Sequence, residues 1–291
     1  MKGLWWRGWD GSLWDLINGP VPLSNKGLRG LQRSMTDVRT TSSSNRDGQR
    51  QTGSSELARQ PIISVVITET DTELEWVQLY RAWSRSFDSV KYGALIYLSQ
   101  EDELLEMACR LERAPDNYDE DWARWQFMQG TWELVADDPY WYLPTVSEVF
   151  ESASTSPVNY YGGDGASGGY PLVRSAGRQA GRKRITNAGS EPVHWSARFA
   201  APSAGFEVEI DGHTVAGAYP IPDGAILELD SENAAFWLWR AGTREHVPYF
   251  EVASSTDFAQ LQPGDASEIR IVNQGAGVPT FTYRPRRKEA L

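Results

Sequence analysis

A single short stretch, Pro61-Ile62-Ile63-Ser64-Val65-Val66-Ile67, gives the strongest structural signal in this 291-residue chain. It is a run of β-branched residues of strand length, and the polar Thr68-Glu69-Thr70-Asp71 ends it. Runs of this kind are typical of a strand that is buried in a sheet. The sequence therefore predicts a buried β-strand over 61–67, and the neighbouring segments can be placed around it.

The residues that follow Asp71 change to a helical period. Apolar side chains recur at helical spacing, at Leu74, Val77, Leu79, Tyr80, Trp83 and Phe87. Asp71 or Thr72 can cap the first turn, and acidic residues in that turn favour the positive end of the helix dipole. We predict one amphipathic helix, near 72–87, that packs on the strand.

A hairpin is predicted near the start of the chain. Leu4–Trp9 and Leu13–Ile17 flank Asp10-Gly11-Ser12, a turn sequence that tolerates positive φ. Beyond the helix, Tyr92–Leu98 is typical of another strand.

The next segment, Leu104–Leu111, fits either a strand or a short helix. We favour a strand, because Trp122–Ala136 alternates aromatic and polar residues and can complete a hairpin with it. The alternation stops at Asp137-Asp138-Pro139-Tyr140-Trp141, and we expect the first domain to occupy 1–150.

Two segments have too few apolar residues for their burial to offset the entropy lost on ordering. Thr40–Ser55 is almost wholly Ser, Thr, Asn, Gln, Arg, Asp and Gly, and it predicts a long exposed loop. Residues 151–170 contain the glycine-rich Gly162-Gly163-Asp164-Gly165 and predict a linker between two domains. The second domain is then 171–291.

Short strands and turns fill that second domain. Turn signals recur at Asn187-Ala188-Gly189, Asp211-Gly212, Asp223-Gly224 and Pro263-Gly264-Asp265, a spacing that is typical of a β-sandwich. The chain is therefore predicted to be mainly β. The first domain is α+β with one packed helix, and the second is an antiparallel sandwich.

Composition narrows the classes of function. The net charge of −11 argues against a protein that binds the phosphate backbone of a nucleic acid, and we expect no sequence-specific nucleic-acid binding. No apolar run approaches the roughly 20 residues that cross a bilayer, so we expect no membrane insertion. From the residues at the start of the chain we expect no secretion signal. One cysteine, Cys109, allows neither an intrachain disulfide nor a cysteine-based zinc site.

Catalytic and metal-binding patterns do not assemble from the sequence. His194, His213 and His246 are scattered, and Cys109 has no obvious base beside it. Acidic pairs such as Asp137-Asp138 are typical of solvated turns, and the glycine-rich linker lacks the context of a phosphate-binding loop. We expect that the protein is not an enzyme and that it binds neither a cofactor nor a metal ion.

Thirteen tryptophans and twelve tyrosines exceed what two cores need. Such an excess is typical of subunit interfaces and of sugar-binding faces. One alternative is therefore a carbohydrate-binding module in which Trp237, Trp239, Tyr249 and Phe250 stack on sugars. The other interpretation of these four is alternation between core and surface on sandwich strands, and we favour it.

A resemblance to a known family is carried by three stretches of the first domain. They are Trp9-Asp10-Gly11-Ser12-Leu13-Trp14-Asp15-Leu16, Gly27-Leu28-Arg29-Gly30-Leu31 and Ala136-Asp137-Asp138-Pro139-Tyr140-Trp141. In order and content they resemble the distal tail or minor tail proteins of siphophages, especially those that infect actinobacteria. The second domain adds Ile185-Thr186-Asn187-Ala188-Gly189-Ser190-Glu191-Pro192-Val193-His194-Trp195, which resembles the family's entry into its sandwich.

The resemblance implies a structural role in the virion. It implies a ring, expected to be a hexamer, at the distal end of the tail, assembled in the host cytoplasm. The ring would contact the tail tube protein and the tail-tip hub, leave a lumen for DNA, and carry a galectin-like outer domain that could meet a host surface glycan. The motif positions expected at structural or interface sites are Trp9, Asp10, Gly11, Trp14, Asp15, Gly27, Gly30, Asp138, Pro139, Tyr140 and Trp141.

Overall fold

The chain folds into two compact units, which a computed structural model describes over residues 2–32, 36–43, 46–68, 70–115, 127–150, 179–275 and 277–290. The first unit comprises Met1–Pro144 with Arg286–Leu291, and the second comprises Thr145–Pro285. The predicted linker at 151–170 lies outside the described residues, as do Trp122–Gln126 of the predicted alternating segment.

One curled antiparallel sheet and a helix make up most of the first unit. The strands are β1 (Gly3–Arg7), β2 (Leu13–Asp15), β3 (Leu23–Arg29), β4 (Thr36–Ser43), β5 (Arg46–Glu56), β6 (Ile62–Ile67), β7 (Gly93–Leu98), β8 (Leu104–Arg113), β9 (Met128–Val135), β10 (Trp141–Tyr142) and β22 (Arg286–Arg287). The main order in the sheet is β2-β1-β7-β8-β9-β6-β3, and β10 pairs with both β8 and β22.

The predicted buried strand is confirmed as β6. It lies between β9 and β3, and Ile63, Val65 and Ile67 alternate into the core with no exposed surface. Strand β8, which the sequence left between strand and helix, is confirmed as a strand.

The predicted helix is also confirmed, as α1 (Glu73–Arg85). Thr72 and Glu75 form a reciprocal capping box at its start, since each side chain bonds the other residue's backbone N–H. Trp76 and Trp83 bury the face that meets the sheet, whereas Leu74 is 66% exposed. The helix therefore packs through its aromatic residues.

The segment predicted as an exposed loop at 40–55 is different in the structure. Strands β4 and β5 pair antiparallel into a separate two-stranded sheet, with Thr36 opposite Glu56 and Ser43 opposite Arg46. Backbone ladder bonds do not need apolar side chains, so a polar segment can form strands. The register shifts at Arg39/Thr40 and at Ser42/Ser43, as is typical of strands that are polar on both faces.

The second unit is an antiparallel β-sandwich, as predicted. Its strands are β11 (Val146–Val149), β12 (Gln179–Thr186), β13 (Trp195–Ala200), β14 (Ser203–Ile210), β15 (His213–Gly217), β16 (Ile226–Asp230), β17 (Ala235–Arg240), β18 (Thr243–Val247), β19 (Ser255–Thr256), β20 (Ala266–Gly275) and β21 (Thr280–Tyr283). A short helix, α2 (Tyr249–Val252), follows β18. One sheet has the order β11-β21-β13-β16-β17-β18 and the other β12-β20-β14-β15-β19.

The division between the units differs from the predicted 1–150 and 171–291. Strand β11 pairs with β21 inside the sandwich, so the second unit begins before residue 150. The chain then returns to the first unit at Arg286, where β22 pairs with β10. The second unit is thus inserted in the chain of the first.

Charge pairs hold the returning segment. Arg287 forms two hydrogen bonds with the carboxylate of Glu103, at 2.5 and 2.8 Å, and Lys288 pairs with Glu56 at 3.1 Å. The buried guanidinium of Arg59 donates to the carbonyl oxygen of Lys288 and to that of Leu31. The basic residues near the end of the chain therefore meet acidic residues of their own unit.

We predict that Gly27→Ala lowers the free energy of unfolding of the first unit by about 2 kcal/mol or more. A Cβ on Gly27 overlaps the carbonyl oxygen of Ser64 on β6, so β3 would have to move away from the strand it pairs with. Gly53→Ala is the matched control, because a Cβ there meets nothing within 4 Å. Urea titrations followed by tryptophan fluorescence measure both, and equal midpoints for the two variants would contradict the account.

Removal of residues 286–291 is expected to destabilise the first unit by about 2–4 kcal/mol. It takes the carbonyl acceptor of Lys288 away from the buried Arg59 and deletes the strand that pairs with β10. Arg182→Ala, which breaks an exposed pair with Glu268, serves as the control and should change stability by less than about 0.5 kcal/mol. Hydrogen exchange should report the loss at β8 and β10, and unchanged protection there would refute the prediction.

Candidate interaction surfaces

The first motif of the sequence builds the turn between β1 and β2. Asp10 accepts hydrogen bonds from the backbone N–H and the hydroxyl of Ser12, at 3.0 and 2.6 Å, and Gly11 has a φ of 85°. Burial acts to raise the pKa of Asp10, but these hydrogen bonds outweigh it and the pKa lies below its ordinary value. Trp14 donates its indole N–H to the Ser12 hydroxyl at 3.0 Å, so the turn is closed by its own side chains.

The same hairpin closes the carboxyl end of α1. Trp9 donates its indole N–H to the carbonyl of Arg85 at 2.9 Å and its backbone N–H to that of Ser86 at 3.2 Å. Trp6 donates to the buried Ser86 hydroxyl at 3.0 Å. Carbonyls at a helix end lack partners within the helix, and here the hairpin supplies them. The side chain of Trp9 stays 36% exposed, with the Lys91 ammonium 3.7 Å from the ring centre.

Asp15, Gly27 and Gly30 lie where the backbone turns or approaches another strand. The Asp15 carboxylate accepts from the backbone N–H groups of Ile17 and Asn18, at 2.8 and 2.9 Å. Gly30 has a φ of 75° and, like Gly27, leaves no room for a Cβ. These motif positions are placed at turns and close strand contacts.

The acidic motif at 137–141 lies at a second place in the first unit. Asp137 accepts two hydrogen bonds from Arg110, at 2.8 and 3.1 Å, and one from the Tyr92 hydroxyl, and these hold the pKa of Asp137 below its ordinary value. Asp138 accepts from the Tyr142 hydroxyl at 2.5 Å and from the backbone of Tyr140.

The end of this motif fixes the returning chain. Arg286 lies 4.3 Å over the ring of Tyr140. Pro139 is buried, and Trp141 is fully buried with its ring 6.2 Å from that of Tyr97. The structure thus places one set of motif residues at the helix end and another at β10. A subunit-interface role for any of them stays a prediction.

The outward face of the six-stranded sheet in the second unit carries a charged and aromatic network. Its centre is Glu228, which is 6% exposed. The carboxylate accepts from Arg198 at 2.8 Å, from the Trp239 indole N–H at 3.0 Å and from Arg244 at 2.9 Å. The Arg244 guanidinium also lies 4.1 Å from the ring centre of Trp237. Cation–π contact and charge-assisted hydrogen bonds therefore hold these side chains in one arrangement.

A cavity of about 280 Å³ opens beside this network. It is lined by Arg198, Gly224, Ile226, Trp239, Ala241 and Gly242. Of the aromatics that the sequence suggested for sugar contact, Trp239 lines the cavity. Trp237 is two residues away on the same face of β17 and is not part of the lining. Tyr249 and Phe250 are 62% and 71% exposed on α2 and are not part of the lining.

Comparison with solved structures identifies the fold. The chain superimposes on the SPP1 Dit protein, described as a paradigm of the hub adsorption apparatus in phages that infect Gram-positive bacteria, with a TM-score of 0.63 at 13% identity over 98% of both chains. The chain has the fold of a phage distal tail protein. The resemblance drawn from the sequence is therefore confirmed at the level of the fold.

Two structures of the phage p2 baseplate in its activated conformation also match. The one with Ca gives a TM-score of 0.50 at 13% identity, over 99% of this chain and 98% of the other. The one with Sr gives 0.53 at 12% identity, over 99% of both chains. No protein-family model and no curated protein sequence matches the chain.

The three histidines and the cysteine, the residues that could suggest catalysis, each have a separate environment in this distal tail fold. His213 contacts Asp257 at 2.8 Å, His194 contacts Gln260 at 2.7 Å, and His246 packs edge-on to Trp237. Burial raises the pKa of the Cys109 thiol to about 12, which keeps it protonated and a poor nucleophile.

Neither a metal cluster nor a membrane helix is present in the described ranges. They hold no group of three or more His, Cys, Asp or Glu residues suited to a metal ion. No helix within those ranges has the length and apolar character to cross a bilayer.

The sequence pattern did not predict the network around Glu228. Arg198, Glu228 and Arg244 are 30 and 16 residues apart, and only strand pairing brings them together. A weak signal was available, since polar residues alternate with core residues on β13 and β16.

Proposed function

We propose that this protein is a non-enzymatic structural subunit of a phage tail tip. In this role it forms a ring, a hexamer, that joins the end of the tail tube to the tip hub and its receptor-binding parts. The observation that carries the proposal is the match to the SPP1 Dit protein over 98% of both chains, which includes both units. A shared fold over the full length supports a shared place in the particle more strongly than a match to one domain.

The first unit is the proposed ring former, and the β4–β5 hairpin is its proposed contact with the next subunit. A hairpin of two strands is marginally stable by itself in water. Here it pairs with no other strand of the described chain, and the first residues of β4, Thr36–Arg39, are exposed. A neighbouring subunit that covers the hairpin would bury the side chain of Val38, which is 47% exposed.

The charge of the chain suits a ring through which DNA passes. A net charge of −11 disfavours tight binding of phosphate groups, so a ring of such subunits would not retain the genome during ejection. The proposed partners are the tail tube protein on one side and the tip hub on the other. The proposed location is the distal end of the tail, after assembly in the host cytoplasm.

An assembly experiment tests the proposal. The full chain is mixed with the tail tube protein of the same phage and measured by light scattering and negative-stain microscopy. We expect six-fold rings because the hairpin and the exposed apolar positions find partners only in the assembly. Monomers under every condition, including contact with the tube protein, would count against the ring.

A hairpin variant makes the test specific. Residues 38–54 are replaced by Asn-Gly, since Asp37 and Ser55 are paired and a two-residue turn can join them. The control is Tyr249→Ser with Phe250→Ser, which alters exposed aromatics of the second unit. The shortened variant should keep its unfolding midpoint and lose ring formation, whereas the control should keep both. Rings from the shortened variant would remove the hairpin from the account.

A further inference from the structure

The outward face of the sandwich arranges charged and aromatic side chains in two adjacent rows across the strands. Arg198, Glu228 and Trp237 stand opposite one another on β13, β16 and β17. The next row places Ile226 opposite Trp239 on β17, and Trp239 opposite Arg244 on β18. Opposite side chains on one face of a sheet are about 5 Å apart. Their alternating neighbours, such as Phe199, Leu227 and Leu238, fill the core.

Glu228 fixes the orientation of the row. Both of its carboxylate oxygens accept hydrogen bonds, one from Arg198 and Trp239 and the other from Arg244. Arg198 uses Nε and Nη2 on this carboxylate and has Nη1 still to offer. Its side chain is 54% exposed, and that of Arg244 is 38% exposed. The face therefore presents fixed N–H donors to solvent, with their rotamers already restrained.

The cavity beside this row combines flat apolar walls with a donor. Trp239 supplies an indole and Ile226 an aliphatic wall, while Gly224 and the Ala241-Gly242 turn supply backbone at the rim. Arg198 is the charged residue of the lining. At about 280 Å³ the cavity lies just below the usual range of ligand-site volumes, so it suits a single ring better than a folded peptide.

We propose that this cavity binds one pyranose unit of a glycan. A pyranose has an apolar C–H face, which packs on the indole of Trp239 and on Ile226, and a polar edge of oxygen acceptors, which meets the Arg198 guanidinium. Glu228 is a positioning residue, since its oxygens are already occupied by protein donors. The sequence hypothesis proposed sugar contact through Trp237, Trp239, Tyr249 and Phe250. The proposed site keeps Trp239 of these four and adds Arg198, Ile226 and Glu228.

Sugar binding by the second unit is independent of ring formation. It concerns one face of the second unit, and a chain that forms rings without binding sugar, or binds sugar without forming rings, would separate the two.

Binding of the full chain to immobilised oligosaccharides tests the site. The probes are oligosaccharides that end in glucose, galactose, N-acetylglucosamine or glucuronic acid, measured by biolayer interferometry. At least one should bind, and a preference for the glucuronic acid probe would show that Arg198 meets a carboxylate. Absence of binding to all four probes, at the highest protein concentration that stays in solution, overturns the proposal.

Two variants and a matched control locate the binding. Ile226→Trp fills the cavity and leaves the Glu228 network in place, while Trp239→Ala removes the stacking wall; each should weaken binding at least tenfold. Val149→Trp adds the same side chain on β11 of the same sheet, three strands from β16, and should change affinity less than twofold.

If Trp239→Ala fails to fold, Ile226→Trp still decides the question. Unchanged binding by Ile226→Trp refutes the cavity as the site.

A thymidine oligonucleotide is the competing arm, because arginine and tryptophan together can also stack bases. Binding of that oligonucleotide in place of the sugars would assign the face to single-stranded nucleic acid and overturn the proposal.

Discussion

The first unit depends on how the carboxyl end of helix α1 is closed. Ser86 is fully buried, accepts the indole N–H of Trp6 and donates its own hydroxyl to the carbonyl of Trp83. Each buried polar group left without a partner would cost about 1–3 kcal/mol. The hydrogen bonds at Ser86 avoid this cost for several groups at once. Around it, Trp6 stacks on Phe87 at 4.7 Å and Trp83 meets Trp132 edge-on at 5.4 Å. The amino-terminal hairpin, the helix and the sheet therefore share one core.

The second constraint is the return of the chain to the first unit after the sandwich. Arg287 pairs with Glu103, and Arg59 donates to the carbonyl of Lys288. Both ends of the inserted sandwich are thus attached to strands of the first unit, through β10 and β22, which pair with each other. For a proposed ring subunit, this topology lets the sandwich vary in surface chemistry while the ring-forming unit keeps its core.

Local pattern predicted much of this fold. The β-branched run of β6, the 3.6-residue period of α1 and the Asp10-Gly11-Ser12 turn each encode their structure within a few residues. The β4–β5 hairpin was mistaken for a loop because its side chains are polar on both faces, so hydrophobic pattern carries no signal there. The boundary at Pro144, the returning strand β22 and the Glu228 network all depend on pairing between distant residues. The local pattern of a single sequence does not specify such pairing.

The central claim is that six copies of this chain form a ring at the distal end of a phage tail. Electron cryomicroscopy of the intact tail tip at side-chain resolution tests it most directly. The account predicts six copies between the last tube ring and the hub, with Trp6, Ser86 and Trp83 in the core of each ring domain and the β4–β5 hairpin on the neighbouring subunit. A tail tip in which the ring is built by another protein, with this chain absent or present as single copies, would contradict it.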